Sequence, residues 1–388
     1  MGKFGIILII VVVASAAFAF CRSSLPLLQN EALAASYGYV RIDRGSSIAF
    51  DSLDNPHICY NDSTNESLKY AYYNGTSWQI EPVDNHILPS APSIAVDSSD
   101  CPHICYSDFK IEALKYAYKS GSHWQVDTVA DGIITQKSLV IDTLNNPHIS
   151  FVEITTQKGL FRKFKETLKY AHFSSSGWFV ETLDREPVVI GATSIDLDST
   201  NKPHIAYTLA DRECAFMYAY YDGSSWHIDA IGAGDGISWP ITILLDSNDI
   251  PHICHCSFST TIECISLNDS RWQADSVNSC WTVIYSAMSY DLSGFLNIAY
   301  FDRKSSNLHI ARYDGNIWKN ETVGNIGWDV DDTSISLDSK GTPHLGYFDK
   351  KNKSFNYAQY NGEKWYVKEV DSLEHASFFS RLKHYLYP

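Results

Sequence analysis

The chain has 388 residues, 19% of them charged and 45% apolar, which is a globular rather than a disordered composition. Its formal net charge of −15 argues against a nucleic-acid surface, which needs Lys and Arg to neutralise phosphates, and against docking on anionic lipid. The length alone suggests two or three ordinary domains, but an internal repeat overrides that prior, because stacked units share one continuous core.

The chain opens on Met1-Gly2-Lys3 followed by FGIILIIVVVASAAFAF. A basic start, an apolar run and small residues, with Ala17-Phe18-Ala19 as an A-x-A cleavage site, make residues 1–19 a secretory signal by pattern. The apolar run Phe4–Phe20 is 17 residues long, marginal for a full span, so an uncleaved membrane anchor is the alternative. Phe20 before Cys21 is too bulky for the usual lipobox. Residues 20–46 read as a linker and N-terminal segment. An extracellular or cell-surface protein is expected.

From residue 47 to 370 one unit recurs seven times. Ser93–Val129 shows it whole: SIAVDSSDCPHICYSDFKIEALKYAYKSGSHWQVDTV, four short runs rich in β-branched and aromatic residues, separated by turn formers. Three anchors count it independently. The dipeptide Pro-His stands at Pro56-His57, Pro102-His103, Pro147-His148, Pro203-His204, Pro251-His252 and Pro343-His344, with Leu296-Asn297 as a degenerate copy. An Asp precedes each by five residues: Asp51, Asp97, Asp142, Asp198, Asp246, Asp291 and Asp338. Near the end of each unit stands Trp78, Trp124, Trp178, Trp226, Trp272, Trp318 or Trp365. Four strands per unit at a period mostly of 45 to 48 residues predict an all-β fold, a seven-bladed β-propeller of four-stranded antiparallel blades. Residues 371–388 form a tail, and the runs Tyr39–Asp43 and Phe378–Tyr387 are expected to clasp the seam between blades one and seven.

The turns between strands one and two, and between three and four, are nearly constant in length, the latter with Asn-Gly or Asp-Gly tips that favour tight hairpins. The other two connections vary. Antiparallel strands put the constant turns on one face of the ring and the variable loops on the other, where function is expected.

The Pro-His-Ile-x-Tyr, Leu-x-Tyr-Ala and Gly-x-Ser-Trp pieces resemble the propeller repeats of secreted bacterial and archaeal surface proteins, over about residues 47–370. They are loosely similar to the Asp-box repeats of sialidase-like propellers, which would imply a glycoside hydrolase or lyase. Gly75-Thr76-Ser77-Trp78 and Gly223-Ser224-Ser225-Trp226 keep the Asp-box turn, but Tyr73 and Tyr221 stand where its Asp is expected. No sialidase arginine cluster or Tyr–Glu nucleophile pair is identifiable, so the enzyme activity is not carried over. The regular Asp and His resemble the framework bonds of WD-repeat propellers: Asp accepting from turn N–H groups, His bracing strand two.

One residue per blade marks a scaffold, so the seven repeated Trp are expected to wedge between blades. The candidate site lies elsewhere. Acids end strand two on the variable face at Asp62, Asp108, Glu153, Asp302 and Asp349, a series that Leu209 and Ser257 break. They are read as solvated strand ends or as contacts to a polar ligand or Ca²⁺. The three remaining Trp, Trp239, Trp281 and Trp328, fall in blade-to-blade loops before blades five, six and seven, where exposed rings would stack on a sugar or a protein surface. No cofactor is implied. A glycan or surface protein is the expected partner of a monomer, with any membrane contact made through the N-terminal segment.

Three further features stand outside that site. Blade three carries an oversized second loop, Thr155 to Thr167, with Lys158, Arg162, Lys163 and Lys165. Cys256 and Cys264 are placed opposite each other across a short hairpin as a candidate disulfide, while His252, Cys254, Cys256 and Cys264 are spread too far for a closed zinc site. Asn-x-Ser/Thr sequons stand at Asn61, Asn65, Asn74, Asn268, Asn320 and Asn352.

Overall fold

Among the described residues, the β-branched and aromatic runs form twenty-eight strands in seven antiparallel sheets of four, each sheet taking its strands in chain order. The innermost strands of successive blades neighbour one another in cyclic order, and that of blade one (Ser46–Phe50) lies against that of blade seven (Val330–Leu337). The chain is a seven-bladed all-β propeller. The computed structural model describes residues 45–372 except 63, 158–162, 189, 210–214, 234–240, 257–260, 269–270, 280–282, 303–304, 326–329 and 350–351. Both runs expected to clasp the seam lie outside the described residues.

The anchor Asp organises the first turn of each blade. In blade one, Asp51 Oδ1 accepts from the N–H groups of Leu53 (2.9 Å) and Asn55 (2.8 Å), and Asp54 N donates to Asp51 O at 3.1 Å. The fourth turn residue must adopt a left-handed conformation, and the sequence supplies types that tolerate it: Asp54 (φ 61°), Asp100, Asn145, Asn201, Asp249, Gly294 and Gly341. That same residue straps neighbouring blades together. Ser52 N and Oγ donate to Asp100 at 2.8 and 2.9 Å, Ser199 does the same to Asp249, and Ser339 to Asp54 across the ring closure.

The His then braces strand three. His57, His148 and His204 Nδ1 lie 2.5 Å from the hydroxyls of Tyr70, Tyr170 and Tyr218, and His103 and His344 bond Tyr116 and Tyr357 in the same way. Each Nε2 faces its turn Asp, most closely in His103–Asp97 at 3.2 Å. The repeated Trp of the next blade meets the same Tyr edge-on, with centroids 5.0–5.2 Å apart in Tyr70–Trp124, Tyr116–Trp178, Tyr170–Trp226, Tyr218–Trp272 and, closing the ring, Tyr357–Trp78. Asp, His, Tyr and Trp thus form one repeated frame across five of the seven seams.

Blades five and six depart from it. In blade five Cys264 occupies the Tyr position and is disulfide-bonded to Cys254, its register partner, with Cα atoms 4.2 Å apart. This corrects the expected Cys256–Cys264 pair: Cys256 lies opposite Ile262, two steps along the ladder. In blade six Asn297 replaces the His, and Arg312 Nη1 donates to Asn297 Oδ1 at 2.8 Å and to Gly341 O at 3.2 Å.

A second correction concerns blade three. Much of its long loop is strand: strand two runs Pro147–Gln157 and strand three Lys163–Ser174, paired out to Gln157↔Lys163. In blades one, two, six and seven that ladder stops at the strand-end acid, as in Asp62↔Ser67, and in blades four and five it stops at Leu209 and Cys256. Blade three continues for four more pairs beyond Glu153↔Thr167, about 13 Å of hairpin at some 3.4 Å per residue.

Candidate functional site

The order of strands within each blade sends strand two and strand four toward the same face, so the two-to-three connections and the blade-to-blade connections share it. Strand two of blades one, two, six and seven ends at Asp62, Asp108, Asp302 and Asp349. Glu153 occupies the equivalent position in blade three, and Leu209 ends the strand in blade four. Ser257 lies outside the described residues.

These acids organise the base of the loop face. Asp62, fully buried, accepts from Thr64 N (3.0 Å), Asn65 N (3.1 Å) and Asn65 Nδ2 (2.7 Å), and pairs with Lys69 Nζ at 2.9 Å. Burial pushes its carboxyl upward, yet Lys69 and Asn65 hold it below the ordinary carboxylate value. Asp108, 2% exposed, accepts from Leu88 N at 3.1 Å and Lys110 N at 2.9 Å. Glu153 pairs with Lys169 at 2.5 Å. Asp302 accepts from Ser305 Oγ at 2.8 Å, and Asp349 from Asn352 N and Nδ2 at 3.0 and 2.8 Å. Asp62, Asp108, Asp302 and Asp349 each fix their own loop, which is how a short polar side chain rigidifies a connection. Any role toward a ligand would therefore come from loops of defined shape.

Sequence reasoning missed the cations beside these acids. Lys69, Lys115 and Lys169 are the Lys of the Leu-Lys-Tyr-Ala run, and its repetition was the available signal. Lys69 also reaches Asp371 of blade seven at 2.7 Å, and Lys115 reaches Asp84 of blade one at 3.0 Å. Beneath blades one to three, the loop face thus rests on short Lys–carboxylate contacts.

Trp239, Trp281 and Trp328 lie outside the described residues. The strands on either side of them are described: Trp226–Ala233 and Ile241–Leu245, Arg271–Ser279 and Val283–Tyr290, Trp318–Asn325 and Val330–Leu337. Each pair joins a fourth strand to the first strand of the next blade, so three consecutive seams carry one Trp each. Among the described residues, no group of three or more His, Cys, Asp or Glu converges as for a metal ion.

No protein-family model and no curated protein matches the sequence. Among solved structures, the chain is similar to the fucose-specific lectin from Aleuria aurantia at 12% identity and a TM-score of 0.52, covering 74% of this chain and 96% of that one. It is also similar to AofleA from Arthrobotrys oligospora (16% identity, TM-score 0.48, 74% and 88% covered) and to a protein of unknown function from Dyadobacter fermentans (8%, 0.47, 72% and 93%). The Aleuria lectin is described as a six-bladed propeller. The likeness is one of fold.

Proposed function

We propose that the chain is a secreted or cell-surface binding propeller that recognises glycans through its variable loop face. The observation that carries this reading is the division between the two faces. One is closed by Asp-organised turns and by blade-to-blade straps such as Ser52–Asp100 and Ser199–Asp249. The other holds every connection of variable length, and in sequence it receives the three Trp that the frame does not use. Flat rings cover a sugar face at small entropic cost, and rigid loops keep several of them in register. Support comes from the fold likeness to a lectin named fucose-specific, whose specificity we extend here to the class of ligand alone. The Cys254–Cys264 disulfide supports an oxidising, extracellular setting. Such a site binds weakly per contact and gains from several loops or from many copies on a surface. Profiling the exported protein on a glycan array, with the free sugar as competitor, tests the reading: saccharide-specific, competable signal supports it, and a blank array overturns it.

A further inference from the structure

We infer that Asn74 is the position at which this fold carries an N-linked glycan. Six sequons are present, and the structure separates them by what the Asn amide and the hydroxyl two residues on are already doing. Both amide atoms of Asn61 are buried. Asn65 Nδ2 donates to Asp62 at 2.7 Å and Asn352 Nδ2 to Asp349 at 2.8 Å, holding the loops described above, while their sequon hydroxyls, Ser67 and Ser354, are 1% and 2% exposed. Asn320 Nδ2 crosses to blade five and donates to Val277 O at 2.9 Å. Asn268 Nδ2 donates to Ser266 Oγ and Gln273 Oε1 at 3.2 and 3.3 Å.

Asn74 differs in what its amide nitrogen does. It heads the exposed turn between strands three and four of blade one, and Asn74, Gly75, Thr76 and Ser77 are all exposed. Its Oδ1 is turned inward and accepts from Thr76 N (3.0 Å), Ser77 N (2.9 Å) and Thr76 Oγ1 (2.7 Å). This is an Asx turn, and it directs the amide nitrogen away from the backbone. The equivalent turns show where that second atom points: Asp222 Oδ2 meets His227 at 2.7 Å, and Asp314 Oδ2 meets Lys319 at 2.8 Å, both side chains at the turn's outer edge. In blade one that position is Gln79, whose amide donates to Ser77 Oγ at 2.8 Å instead, so Asn74 Nδ2 faces outward with its hydrogens unused. Gly75 follows at φ 87° with open space where a Cβ would stand.

The modification is a transfer from a lipid-linked oligosaccharyl diphosphate. Asn74 Nδ2 takes the anomeric carbon, the diphosphate leaves with its electron pair, and one amide proton is lost. The remaining N–H and the whole Oδ1 network stay in place, so the turn survives. The glycan would project from the closed face, opposite the loops proposed to bind. The inference rests on the extracellular reading but not on the ligand of the loop face.

The test is expression of the full chain through a secretory host that N-glycosylates. Peptide mapping after enzymatic deglycosylation in heavy-oxygen water then reads occupancy at each sequon. The expected result is a secreted, folded protein with Asn74 more than tenfold better occupied than any other sequon, and loss of that mass increment in Thr76→Val. Secreted, folded protein with Asn74 bare, or with Asn320 or Asn65 occupied to the same degree, overturns it. A chain that is neither exported nor modified at any sequon would instead overturn the extracellular reading, and this inference with it.

Discussion

Tyr106 of blade two donates its hydroxyl hydrogen to Asp84 of blade one at 2.6 Å. Asp84 stands six residues after Trp78, and the equivalent residue bonds the strand-two side chain of the next blade at four seams, while Gly324 offers Tyr347 no such partner. Asp184 receives Tyr207 at 3.0 Å, Asp371 receives Tyr60 at 2.8 Å across the ring closure, and Asn278 bonds Tyr300. Where strand two offers Phe151, the matching position is Ala130 and no acceptor is left stranded, whereas His255, opposite Gly232, leaves both ring nitrogens without a hydrogen bond and stacks on Phe216. Replacing Tyr106 with Phe should cost about 1–3 kcal/mol, because a partly buried carboxylate loses its donor. Phe151→Tyr should destabilise by a similar amount by burying a hydroxyl opposite Ala130. Denaturant midpoints unchanged in both variants would contradict the matching.

The Trp frame sets a second expectation. Trp124 packs edge-on against Tyr70 and donates its indole N–H to Glu81 Oε1 at 2.9 Å. Trp124→Ala removes both, at about 3–5 kcal/mol for a large aromatic. The ring is only partly buried, which places it at the lower end. A chemical-denaturation curve that superimposes on wild type would show that the ring does not wedge the seam.

Glu166 gives a pH signature. In blades one and two a loop carbonyl takes the first N–H of the next blade: Ile87 N donates to Glu66 O at 2.9 Å and Gly132 N to Glu112 O at 2.6 Å. The extended hairpin of blade three removes that carbonyl, and the Glu166 carboxylate replaces it, accepting from Ile190 N at 2.5 Å. Burial pushes the Glu166 carboxyl up to about 7. A raised acid pKa means that the folded state holds the proton more tightly, so this contribution is full below about 4.5 and lost as pH rises through 7. Its size is on the order of 3 kcal/mol at 1.36 kcal/mol per pKa step. The buried histidines His57, His103, His148 and His204 shift the other way, lowered by burial, so their contribution is lost as pH falls through 6.5. The informative quantity is therefore the difference between Glu166→Gln and wild type: the variant should gain relative stability as pH rises from 4.5 to 7.5. A flat difference would mean that Glu166 does not titrate in that window.

Blade five trades a hydrogen-bonded pair for a covalent one. Reduction, or Cys264→Ser, releases a loop of about ten residues and should cost about 2–3 kcal/mol on the loop-entropy estimate, with no Tyr to take over at position 264. Hydrogen exchange should quicken first in Pro251–Cys256 and Thr261–Asn268. Uniform exchange around the ring after reduction would contradict a local role for the bond.

The repeat made the architecture readable because each anchor does local work. Asp51 closes its own turn, His57 reaches a Tyr one strand away, and Trp78 recurs at a fixed step, so all three leave a period in the chain. What crosses seams was harder to see. Asp84 and Tyr106 are twenty-two residues apart, and their pairing shows only once strand order is known. The Cys264 partner turned on a register step of two residues, since one position in an antiparallel ladder decides which side chains face each other. The strand-end acids were legible as a series, but not their engagement with Lys69, Asn65 and the loop N–H groups, which depends on how each loop folds back. The extended hairpin of blade three reads as loop in the sequence because its polar run lacks alternating apolar residues.

The loop face is the centre of the proposal, and one comparison tests it most directly. The affinity of the exported protein for its array-identified saccharide would be measured by calorimetry beside that of the combined Trp239→Ala, Trp281→Ala and Trp328→Ala variant. Leu53→Ser, an exposed change on the opposite face, serves as control, and circular dichroism confirms that all three proteins are folded. Aromatic stacking on a sugar predicts at least a tenfold loss in the triple variant, about 1.4 kcal/mol, and none in the control. Full affinity in the folded triple variant would contradict the account and move the binding site away from the loops before blades five, six and seven.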